Sequence, residues 1–176
     1  WEDLDAFTNR ADELAADLLS EGIRGMKIWP FDSFAARSGG QRISLADLDA
    51  GLEPFRRIRQ AVGREMEIMV EGHGHWSLPA ALRIARAVEE FEPLWIEDLI
   101  RPDTVSALVE LRRGTRTPLL VSEMLMTRYE YQPVFEARAA GIAMVDPSWC
   151  GGIIEARKIG QMAETHNLPV TFHDCA

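Results

Sequence analysis

Cysteine is scarce in this chain. Cys150 and Cys175 are the only two, enough for at most one disulfide, which a domain of 176 residues does not need. That argues against a disulfide-built secreted module and for a reduced, cytoplasmic protein. Long apolar runs are missing as well: none approaches the roughly 18 residues of a membrane span, and the N-terminus carries no basic-then-apolar leader. Positive charge is in deficit, with 19 Lys and Arg against 28 Asp and Glu and a net charge of −9. A nucleic-acid or anionic membrane surface would be repelled rather than held. The basic residues that are present alternate with acids, as in "ARAVEEFEP", or sit in polar turns such as "LRRGTRTP", the pattern of a solvated surface. Low-complexity segments and an evident interdomain linker are also lacking. What remains, 47% apolar and 27% charged, is an ordinary globular composition with length for one sizeable core.

Helical periodicity is clearest in "SLADLDAGLEPFRRIRQAVG", where Leu45, Leu48, Leu52, Phe55, Ile58 and Val62 recur at steps of three and four. Ser44 with Asp47 has the form of a capping box, and Pro54 is expected to kink or restart the helix. Further helices are expected over about 4–20, 79–90, 104–113, 128–139 and 152–166. Between them lie six short apolar runs, "GMKIW", "EIMVE", "PLWIE", "PLLVSE", "IAMVD" and "LPVTFH". They do not alternate with polar residues, which suits parallel strands buried on both faces. Strands alternating with helices imply repeated right-handed βα units, hence a parallel α/β sheet or barrel. The long loop "FDSFAARSGGQRIS" is either a flap over a site or slack.

The strand ends carry the chemistry. The middle runs finish in Glu71, Glu97, Glu123 and Asp146, and the last in His173, at intervals of 26, 26, 23 and 27 residues. A single acid after a strand is ordinarily the N-cap of the next helix. Four in phase, followed by a histidine in phase, place polar groups at equivalent points of successive units, which in a barrel converge on the C-terminal face. Clustered carboxylates repel one another unless a cation sits among them, and all-oxygen ligation suits Mg²⁺ or Mn²⁺ better than zinc. Glu71, Glu97 and Glu123 are therefore candidate metal ligands.

The ordered set of a lysine strand, "MVEGH", "WIEDL", "VSEML", "DPSWCGG" and a late "FHDCA" resembles the barrel domain of the enolase superfamily, in its mandelate racemase and muconate lactonizing branch. The resemblance runs from about Gly22 to Ala176. It implies a TIM-type (β/α) barrel, of which this chain would hold strands two to seven. Residues 1–176 would then be a partial catalytic barrel, with the N-terminal capping domain and the first and last strands outside it. By motif it makes Glu71, Glu97 and Glu123 the ligands of Mg²⁺, with Mn²⁺ as an alternative. Aspartate is commoner in the family where this chain has Glu71. Asp146 and His173 match its base dyad, in which the aspartate fixes the tautomer and raises basicity.

The resemblance also separates members of the branch. Where racemases have Lys, any residue, Lys, this chain has Lys27 and Trp29, so a second lysine base is lacking and Trp29 is expected to wall the pocket. Lys27 is either a contact for an anionic substrate oxygen or a structural ion-pair partner. His73, two residues after Glu71, matches the general acid of acid-sugar dehydratases of the galactonate and mannonate type. Two residues apart on an extended strand point the same way, and Gly72 and Gly74 are expected to leave room for substrate. His75 reads as a solvent-facing loop residue and His166 as a helix-end residue. The implied function is a Mg²⁺-dependent dehydration of a sugar acid to a 2-keto-3-deoxy acid, with a small carboxylate as substrate and a homo-oligomer as full-length assembly. Epimerisation with His73 and His173 as opposed bases, and a noncatalytic ligand-binding barrel, are the alternatives.

Overall fold

Each of the six apolar runs forms a strand in the computed structural model, which describes residues 2–173. The strands are β1 (Gly25–Ile28), β2 (Glu67–Glu71), β3 (Trp95–Glu97), β4 (Leu119–Val121), β5 (Ile142–Val145) and β6 (Val170–Phe172). They pair in chain order and all in parallel, giving a curled half-barrel. At least one helix lies between each pair of successive strands, as parallel pairing requires, and two more precede β1. They are α1 (Glu2–Asn9), α2 (Ala11–Ser20), α3 (Asp32–Ala35), α4 (Leu45–Val62), α5 (Leu78–Val88), α6 (Val105–Gly114), α7 (Thr127–Glu136) and α8 (Ile153–Thr165).

The core is built as the apolar runs demand. Ile28, Ile68, Val70, Ile96, Leu120 and Val145 on the strands are almost wholly buried, as are Phe55, Ile58, Ile84 and Ile159 on the covering helices. Each such side chain contributes roughly 1.5–3 kcal/mol of burial. The exception is β6, an edge strand whose Val170 and Thr171 are half-buried and whose Phe172 is 64% exposed. Burial on both faces thus holds for the middle strands and fails at this edge.

Two helical expectations change. The stretch 4–20 is two helices, because the chain turns at Arg10 (φ −141, ψ 44) and Arg57 of α4 donates to the Asn9 carbonyl at the break. This lets Phe7 pack edge-on against Trp29 while Ala11 and Ala15 are buried. Pro54, by contrast, does not end α4, because it sits on the helix's buried face among Leu52, Phe55 and Ile58 and packing outweighs the lost hydrogen bond. Half of the capping box forms: Ser44 accepts from the Asp47 N–H at 3.0 Å, and the Asp47 carboxylate takes the Ser44 hydroxyl at 2.8 Å.

The long loop after β1 is neither slack nor a detached flap. Phe31 is fully buried beneath α4, where a Cβ on Gly51 would overlap its ring. At Gly40 (φ +73) a Cβ would overlap the His75 carbonyl oxygen, and Ser77 donates its N–H to the Gly40 carbonyl. These contacts lock the loop onto the segment that follows β2. Cys150 is a buried free thiol, and Cys175 lies outside the described residues.

Candidate active site

The parallel register puts Glu71 and Glu97 side by side at the ends of β2 and β3. Leu120 is the partner of Glu97 in β4, so Glu123 lies just beyond that strand's end. One oxygen from each of the three carboxylates lies within 4.8 Å of the others, and all three side chains are buried. Lys27 of β1 reaches between the first two, with its Nζ 2.8 Å from Glu71 Oε2 and 2.8 Å from Glu97 Oε1. The ion-pair reading of Lys27 is thus met geometrically, with the ammonium facing the same cluster.

The electrostatics of this cluster are strained. Burial, then the neighbouring Glu71, pushes the Glu97 carboxyl up to about 8, against the pull of Lys27. Burial also pushes Glu71 upward, but its bonds to Glu97 and Lys27 outweigh that and hold it below the ordinary carboxylate range. Burial depresses Lys27, yet the two carboxylates more than restore it and its ammonium is raised. Glu71 Oε1 accepts the N–H groups of Gly72 and His73, and Glu97 Oε2 accepts the Trp95 indole N–H. Among the described residues Glu123 Oε2 is buried and has no hydrogen-bond partner. One ammonium cannot neutralise three buried carboxylates. An orphaned buried oxygen beside two charge-crowded ones fits a divalent cation held by hard oxygen donors.

On the β5–β6 side of the cluster in the sheet order, His173 Nδ1 lies 2.8 Å from Asp146 Oδ2. Asp146 Oδ1 accepts the N–H groups of Ser148 and Trp149, and the His173 N–H joins the ladder through the Val145 carbonyl. With Nδ1 committed to the aspartate, proton exchange falls to Nε2. On the other side, His73 Nδ1 lies 2.6 Å from Asp32 Oδ2, and this bond raises the histidine's pKa, against burial. Trp29 meets the His73 ring edge-on at 5.8 Å.

The structure corrects the reasoning about the segment after Glu71. The strand ends there, and His73 (φ +46) and Gly74 (φ +67) are left-handed, so the side-chain alternation of a strand no longer applies. Gly72 and Gly74 make room for protein rather than substrate. A Cβ at Gly72 would lie 2.7 Å from Leu99 Cδ2, and one at Gly74 3.2 Å from both Arg101 Cγ and Met124 Cε. His75 is exposed, as expected. His166 stands at the end of α8 with its ring 5.8 Å from that of Phe135.

Three residues escaped the sequence reading. Asp32 carried no signal beyond its place in a loop, because only folding brings it to His73. Asp98, next to Glu97, is fully buried and receives the Ser122 hydroxyl, and burial followed by Glu123 drives its pKa well above the carboxylate range. Its one legible sign was a second acid directly after a strand-end acid. Tyr131 of α7 is wholly buried, and its hydroxyl is shared between the carbonyls of Ser122 and Met144, which tethers the ends of β4 and β5.

Residues 10–176 match the family model described as enolase C-terminal domain-like. An enolase of the mandelate racemase subgroup from Agrobacterium tumefaciens shares 48% identity with a TM-score of 0.93, over 95% of this chain and 46% of its own. An enolase protein from Sargasso Sea environmental sequencing shares 45% identity with a TM-score of 0.92, over 94% and 45%. A protein from Mesorhizobium loti, for which a dehydratase activity has been suggested, shares 26% identity with a TM-score of 0.85, over 96% and 45%. The chain therefore spans less than half the length of these structures.

Proposed function

The chain belongs to the enolase C-terminal domain-like family, and from that premise we propose that the full-length protein is a Mg²⁺-dependent sugar-acid dehydratase. One observation carries the reading: three buried carboxylates converge at the ends of β2 to β4, with one Asp–His pair toward β1 and a second toward β6 in the sheet order. A suggested dehydratase among the similar structures agrees with it.

Glu71, Glu97 and Glu123 would hold the cation, with Mn²⁺ able to replace Mg²⁺. When bound, the cation supplies positive charge for the substrate carboxylate and for the second negative charge that develops on it. His173 Nε2 removes the proton alpha to that carboxylate, and Asp146 orients the ring and stabilises the imidazolium that results. His73, oriented by Asp32, gives its proton to the 3-hydroxyl as the carbon–oxygen bond breaks, so one water leaves. The remaining enol tautomerises to the 2-keto-3-deoxy acid. Lys27 bridges Glu71 and Glu97 and lowers the cost of burying them. Each proton transfer is worth roughly 10²- to 10⁴-fold.

The second dyad also favours one alternative. Two Asp–His pairs are what epimerisation by two bases would need, and the product tells the reactions apart. The test is a screen of the full-length protein, with Mg²⁺, against hexonic, pentonic and aldaric acids, reading 2-keto acid formation. Product formation abolished by EDTA and by His173→Asn is the expected result. Deuterium entering the alpha position from D₂O without keto acid would replace dehydration by epimerisation. Silence in both would sink the catalytic reading.

A further inference from the structure

We propose that Asp32, His73 and His75 form a second metal site, distinct from the carboxylate cluster and selective for a zinc-type ion, whose occupation blocks proton donation by His73. Each residue offers a ligand atom, and these atoms all lie within 4.8 Å of one another. The His73 and His75 ring centroids are 6.0 Å apart, and Asp32 Oδ2 lies 2.6 Å from His73 Nδ1. Among the described residues, Asp32 Oδ1 is buried without a hydrogen-bond partner, leaving an oxygen for ligation.

The donor set chooses the ion. Two imidazoles and one carboxylate suit Zn²⁺ and its neighbours in the first transition row, whereas Mg²⁺ prefers oxygen alone. Three protein ligands and an open position make a common zinc arrangement. The exposure of both histidines gives an ion a route in.

The backbone beneath the ligands is fixed. The His75 N–H bonds the Gly72 carbonyl at 3.0 Å, His75 pairs as an isolated bridge with Ile100, and its carbonyl abuts Gly40. Asp32 follows the fully buried Phe31. The His73 N–H in turn bonds Glu71 Oε1, so each of the three donors stands on backbone that is itself held in place.

The consequence for catalysis rests on the proposed dehydratase reading. An ion on either nitrogen of His73 excludes the imidazolium form that would donate the proton, so zinc-type ions inhibit the enzyme that Mg²⁺ activates.

The test titrates the full-length protein with Zn²⁺ against a chelating indicator in excess Mg²⁺, for wild type and His75→Ala. The wild type is expected to bind one ion more tightly than the variant by at least about tenfold, since loss of an outer-shell partner alone costs about 10- to 100-fold. His75→Ala is expected to keep its Mg²⁺-supported turnover, while the Zn²⁺ concentration that half-inhibits it rises by the same factor. Equal Zn²⁺ affinity in the two proteins would overturn the site. Inhibition that ignores the substitution would overturn its role and put the inhibiting ion on the carboxylates. If no sugar acid is turned over, the binding titration still decides the site, so its failure and the failure of the dehydratase reading are separate results.

Discussion

The two Asp–His pairs use the same residue types on different mountings. Asp146 is 1% exposed, both its oxygens are engaged, and His173 continues the β5–β6 ladder. Asp32 is 18% exposed and sits in a one-turn helix, while His73 is 42% exposed and stands beyond the end of its strand. The difference matches the difficulty of the two proposed steps. Taking a proton from carbon demands a base held in one orientation, and a sheet end provides that. Protonating a hydroxyl that is already leaving tolerates a looser donor, one that loop packing alone can hold.

The largest expected effect comes from breaking the fixed pair. His173→Asn in the full-length protein should lower keto-acid formation and alpha-proton exchange together, by up to about 10⁴-fold. Nuclear magnetic resonance in D₂O reads both, and surviving exchange would mean that the two dyads have exchanged roles. His73→Asn should lower keto-acid formation by about 10²-fold or more and leave exchange at the wild-type rate. Asp32→Asn acts only through His73, so a smaller loss, about tenfold, is expected in dehydration alone. A matching fall in exchange would contradict the division of labour.

Two smaller effects concern the mountings themselves. Tyr131→Phe removes the hydroxyl shared by the Ser122 and Met144 carbonyls, at an expected cost of about 1–3 kcal/mol in stability by denaturant titration. Gly51→Ala should destabilise by about 1–3 kcal/mol although alanine is the better helix former, because the added methyl meets the Phe31 ring that anchors Asp32. An unchanged denaturation midpoint would mean that the loop has slack after all.

The contrast also explains what the sequence could and could not reveal. Glu71, Glu97, Glu123, Asp146 and His173 were legible because each ends a strand and the strands recur at nearly constant spacing. The convergence of the three glutamates, and the pairing of Asp146 with His173, follow from parallel pairing in chain order. The partnership of Asp32 with His73 spans 41 residues and depends on a loop locked by Gly40, Gly51 and Phe31. No periodicity encodes such a contact. Asp98 was hidden differently: adjacency to Glu97 gave no sign that its left-handed backbone (φ +39) would turn it inward beside Ser122. The break at Arg10 and the continuity of α4 through Pro54 were both decided by packing over local preference.

The sheet runs in chain order, with Glu71, Glu97, Glu123, Asp146 and His173 at or just beyond the ends of β2 to β6. Such an architecture is modular. The three carboxylates, Asp146 and His173 hang from five different strand–helix units, so one side chain can be exchanged while the hydrogen-bond ladder, built from backbone alone, stays intact. Inheritance can therefore rewrite the chemistry one strand end at a time, keeping the shared electrostatic centre and revising the groups at its flanks.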